Sequence, residues 1–190
     1  METLRRIVYL IFRPAAEWDA IAKETTSVDA LLRSYIIPLG LLAPIAEAIG
    51  MNTFDREWNP VHGYLVPPDQ IFAASAATFF IIVGSIFVLA AIFVLIAPMF
   101  GGGRDYRAAL KVATYGSIPV LLAGATLLLP LMALIGLVGL CHTLYLWAMG
   151  AQRVLKVPSR DVAEFVGISC LLLSFVSVLA GAAAGAIGLI

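Results

Sequence analysis

The sequence predicts an all-α protein: a polytopic bundle of five transmembrane helices preceded by an interfacial amphipathic segment. Composition is the first reason. Of 190 residues, 62% are hydrophobic and 13% charged, against about 45–50% and about 25% in soluble domains, so a soluble fold could not cover the apolar surface. Charge placement is the second. No Asp, Glu, Lys or Arg occurs in Ile71–Gly103, Val112–Gln152 or Phe165–Ile190, and each run exceeds the roughly 18 apolar residues that mark a spanning helix. The third is the sorting of basic residues, which gives the topology below.

Residues 1–30 are predicted to form an amphipathic segment on the cytoplasmic face. Leu4, Ile7, Val8, Ile11 and Phe12 recur at helical spacing, a stripe suited to the bundle surface, to lipid headgroups or to a cytoplasmic partner. Pro14 interrupts the stripe and suits the first position of a second helix, with Glu17 and Asp19 early and Trp18 and Ile21 on one face. No secretory signal is expected: the apolar stretch Ile7–Phe12 is short and runs into Arg13-Pro14.

At about 1.5 Å per residue a span needs about 20 residues, which places spans at about 31–50, 71–100, 106–126, 130–150 and 162–190. In the first, Pro38 and Pro44 remove backbone donors and should bend the helix. Gly124, Thr126 and Pro130 are expected to turn the chain from the third span into the fourth. Met51–Gln70 forms the sizeable loop on the outer side, with ordered turns at Pro60, Gly63 and Pro67-Pro68.

Eleven of the 12 Lys and Arg residues fall before or at the start of the first span, in the second loop with the helix start after it, or in the fourth loop, and Arg56 stands alone on the other side. The positive-inside rule therefore puts the N-terminus in the cytoplasm and the C-terminus outside a bacterial inner (cytoplasmic) membrane.

The candidate functional polar residues are Glu47, His142, Tyr145 and Tyr115. Ionisable groups inside a span are functional candidates by default. Glu47 reads either as an interfacial carboxylate or as a station on an ion route. His142, with Tyr145 one turn on, reads either as a histidine hydrogen-bonded across helices or as a proton relay. Gly181 and Gly185 form a GxxxG suited to helix packing within the bundle or to self-association. No metal site or cofactor is expected, because His62 and His142 lie on separate elements without ligand spacing. Cys141 and Cys170 fall inside spans, where a secreted-type disulfide is not expected, and should share a depth on helices that pack side by side. A net charge of zero gives no general attraction to nucleic acid.

Pro14-x-x-x-Trp18-x-x-Ile21 before the first span, the loop Gly101-Gly102-Gly103 leading to Tyr106, and the helix carrying Ala113, Tyr115 and Pro119 resemble the Yip1 domain family in a bacterial form. The resemblance covers nearly the whole chain. It implies a five-helix membrane domain with a cytoplasmic N-terminus, of a family whose eukaryotic relatives act in early secretory trafficking and associate with Rab-type small GTPases and with each other. The long N-terminal domain of those relatives and their Asp-Leu-Tyr-Gly-Pro stretch are absent, so small GTPase binding is not carried over. The predicted function is a membrane protein that organises or binds other membrane components, with the lipid bilayer and other membrane proteins or its own copies as partners. It is not an enzyme, since no P-loop, HExxH or paired carboxylates occur. The alternative is a small oligomeric transporter or channel using Glu47 and His142.

Overall fold

The computed structural model describes residues 2–53, 68–128 and 133–186, and among them every regular element is helical. Two short helices lead, α1 (Glu2–Phe12) and α2 (Pro14–Lys23). Five stretches long and apolar enough to cross a membrane follow, Val28–Met51, Pro68–Phe100, Tyr106–Leu128, Leu134–Arg153 and Val162–Leu179, here spans one to five. Span five stays helical to Ala186. The all-α, five-span class is thus the one the composition dictates.

Local chemistry explains where the helices begin. Span one starts three residues before the apolar run because the Ser27 hydroxyl accepts from the Ala30 N–H at 3.1 Å, satisfying an orphan donor of the first turn. Span three starts at Tyr106 because the Asp105 carboxylate caps the Arg107 N–H at 2.9 Å. Gly101 ends span two in the left-handed region, at φ 76°, which glycine adopts without a Cβ penalty.

The prolines act as expected but by different local devices. Ahead of Pro38 the helix widens to a π turn over Leu32–Ile36, with the Ile37 N–H reaching the Leu32 carbonyl. Pro44 offers no donor to the Gly40 carbonyl, and the helix is interrupted at Leu41. Pro119 breaks span three at Ser117. The expected turn at Gly124 and Thr126 is replaced by a 3-10 continuation of span three over Gly124–Leu128, in which the Thr126 hydroxyl donates to the Ala123 carbonyl at 2.6 Å. Pro130 and most of the first loop, with Arg56, Pro60, His62, Gly63 and Pro67, lie outside the described residues.

Span three is the hub, packing against spans one, two and four, while span five packs on two and four and α2 lies on four. Close approach is made by small residues. A Cβ on Gly124 would stand 2.7 Å from the Ala43 Cβ, and one on Gly139 the same distance from the Ala123 Cβ. Spans four and five lie side by side as their order suggests; Cys141 is exposed, Cys170 half-buried, and both are free thiols.

Candidate functional site

At the end of the bundle where the basic residues gather, α1 and α2 are built into the fold. Pro14 opens α2, and Trp18 and Ile21, one turn apart on its inner face, are both fully buried. Trp18 fits a notch left by Gly150 of span four: a Cβ there would lie 2.8 Å from its Cη2. Its ring meets Tyr115 edge-on at 6.4 Å, and Tyr115 meets Tyr35 of span one at 5.0 Å.

The C-terminus of α2 is capped from another element. Lys111, buried in span three, donates from Nζ to the carbonyls of Ile21 (3.0 Å) and Glu24 (2.9 Å), satisfying orphan acceptors and placing a cation at the negative end of the helix. Arg6 of α1 is the second tie. It donates to both Glu24 carboxylate oxygens, at 2.7 and 2.6 Å, pairs with Glu17 at 3.0 Å, and lies over the Tyr115 ring with its hydroxyl at 3.3 Å. The hydrogen bonds to Glu24 raise the Arg6 pKa against the opposing effect of burial, and those same bonds hold the Glu24 carboxyl below its usual range. Arg153 at the end of span four reaches Asp19 at 2.9 Å.

The sequence-predicted residues separate into two groups. Pro14, Trp18, Ile21 and Tyr115 converge in this cluster, whereas Tyr106 opens span three and is exposed. Pro119 is buried and makes the break in span three. Glu47 and His142 are not brought together. Glu47 sits near the far end of span one, on the face of Ala43 and Gly50 that abuts the end of span three, and its Oε2 is buried without a hydrogen-bond partner among the described residues. His142 packs against the Tyr145 ring at 5.8 Å, and its Nε2 likewise has none, whereas Tyr145 is 51% exposed on the lipid side. Gly181 and Gly185 lie on the span-five helix, and their surroundings fall outside the described residues.

Arg6, Glu24, Tyr35 and Lys111 were not singled out in the sequence. Lys111 carried a signal, as a lysine more than one turn inside a span must find acceptors within its reach. Arg6 did not, because it lies beside the apolar stripe rather than on it. The stripe itself is only half covered: Ile7 and Ile11 are half-buried while Leu4 and Phe12 are 69% and 77% exposed, and the fully buried residue of α1 is Leu10, beside the stripe.

Gly101-Gly102-Gly103 is structural. The Gly102 N–H closes onto the Ala97 carbonyl at 2.8 Å and the Gly103 N–H onto the Leu155 carbonyl at 2.7 Å, tying the second loop to the fourth. A Cβ on Gly102 would stand 2.9 Å from the Leu155 oxygen.

These features define a multi-pass integral membrane protein whose N-terminal helix pair is part of the folded bundle. The chain belongs to the Yip1 domain family, whose model matches residues 8–181 and so takes in all of α2 and the last five residues of α1. No curated protein and no solved structure matches it.

Proposed function

We propose that this chain is a non-enzymatic organiser of other membrane components, set in a bacterial inner membrane with residues 1–30 and the basic end facing the cytoplasm. One observation carries the reading. α1 and α2 are clamped to the bundle by Trp18, Lys111 and Arg6, yet α1 keeps Leu4, Val8 and Phe12 uncovered along one side between Arg5 and Arg13. A rigidly held helix with an uncovered apolar stripe is suited to present a surface.

The second reading, a transporter or channel in oligomeric form, draws on the buried Glu47 Oε2 and His142 Nε2 that have no hydrogen-bond partner among the described residues, since such groups are costly in a membrane unless they serve a path. Proton and tracer flux in liposomes separates the two. The organiser reading expects no flux above empty vesicles; flux abolished by both Glu47→Gln and His142→Ala would overturn it. For the orientation, a reporter fused after Ile190 is expected to be active only outside the cytoplasm, and cytoplasmic activity would reverse the topology.

A further inference from the structure

Midway across the membrane the spans enclose a cavity of about 310 Å³, lined by residues of all five. Its origin is the break that Pro119 imposes on span three. The kink leaves Ser117 and Val120 facing Ser85 of span two and Thr143 of span four, with Leu173 of span five closing one side.

The three hydroxyls are few for the volume, and each already makes one hydrogen bond. Ser85 donates to the Ile82 carbonyl at 2.8 Å. Thr143 accepts from the Val120 N–H at 3.1 Å, a donor at the start of the helical segment after the break. Ser117 accepts from Trp147 Nε1 at 3.3 Å. None of the three oxygens is a buried atom without a partner. Ser117 and Thr143 each keep an O–H to donate, but the rest of the lining is apolar, which leaves most of the volume without the two to four polar partners a buried water needs. The volume is also about twice that of an apolar cavity of about 150 Å³ that stays dry and takes up benzene.

The cavity has a mouth. Of its lining residues Leu140 alone is exposed, at 44%, and in a span that exposure is to lipid. Beyond it the outer half of span five, from Phe175 to Leu179, faces outward, so the cavity opens onto the part of the bilayer where acyl chains lie.

We propose that this cavity is a binding site for the acyl chain of a bilayer phospholipid, which enters beside Leu140 and lies against Trp147. The proposal is independent of the organiser reading, because the site needs only the bundle and the bilayer.

The test uses the full chain with Trp18→Phe and Trp58→Phe, leaving Trp147 as the sole tryptophan, in phosphatidylcholine vesicles brominated at mid-chain. Trp147 is 5% exposed, so a bromine reaches it closely only from within the cavity. Loss of most of the emission is expected relative to unbrominated vesicles. Adding Ser85→Phe, or separately Val120→Phe, should fill the space and restore it, in proteins whose emission maximum and melting in unbrominated vesicles match the parent. Absence of quenching in the parent would overturn the proposal. Equal quenching in the filled variants would also overturn it, as would quenching by aqueous acrylamide in place of bromolipid, which would mark a water-filled space.

Discussion

At the basic end of the bundle a compact group of aromatic and aliphatic side chains turns inward beneath α1 and α2, with Leu10, Trp18, Ile21, Tyr115 and Phe165 almost completely buried, while the outer side of α1 keeps Leu4 and Phe12 exposed. At the far end Ile49, Phe72, Phe80, Leu134 and Phe175 point outward. The contrast follows from the solvent. In lipid an exposed phenylalanine is at home, so hydrophobicity does not press the spans together there, and close contacts such as Gly124 on Ala43 and Gly139 on Ala123 do that work. At the interface water is present, the hydrophobic effect operates, and α1 and α2 are driven onto the bundle. Charge pairs and the Lys111 cap then fix their orientation.

The largest effect that sharpens this contrast is expected from Trp18→Ala. Removing a buried tryptophan typically costs about 3–5 kcal/mol, so amide hydrogens of residues 2–23 should exchange far faster in nanodiscs while the spans stay protected. Phe80→Ala, on the lipid-facing side at the far end, should change nothing. If α1 and α2 remained protected without Trp18, the interface would not be held by apolar burial.

Lys111→Met keeps the length of the side chain but removes the donors to the Ile21 and Glu24 carbonyls. A loss of about 1.5–3 kcal/mol is expected, seen as faster exchange confined to the C-terminal turn of α2 and to Glu24. Unchanged exchange there would show that water satisfies those carbonyls. A Gly139→Ala chain tests the other half: its Cβ would meet the Pro119 carbonyl oxygen at 3.0 Å, and overpacking of about 1–3 kcal/mol should lower the melting temperature in lipid without loosening α1.

The smallest effect is expected from acid. Arg6 lowers the Glu24 pKa, so the stability this carboxylate contributes is present above its unfolded value of about 4.3 and is lost as pH falls through the lowered folded value. Glu24 is 40% exposed, and solvent screening keeps the contribution modest. Trp18 emission should therefore shift red slightly as pH drops below the usual carboxylate range, and Glu24→Gln should remove that transition. A shift of the same size in the variant would assign it to other carboxylates.

The sequence by itself determined the class and the number of spans, since apolar runs such as Ile71–Gly103 have no other way to be buried and length alone counts them. It also determined that span one is interrupted, because Pro44 lacks a donor in any context, and it placed Pro14, Trp18 and Ile21 on one short helix through spacing alone. Only the tertiary structure decided which faces meet. That Arg6 of α1 closes on Glu24, that Lys111 caps α2 from span three, and that Gly150 makes room for Trp18 are partnerships between residues from 18 to over 130 positions apart, and no local period encodes them. The 3-10 end of span three and the cavity beside Ser117 were likewise invisible, because they depend on how closely Ala43 and Thr143 approach from neighbouring helices. In a membrane the hydrophobic pattern says which segments enter lipid; the rotation of each helix about its axis is set by small residues and hydrogen bonds whose partners lie on other helices.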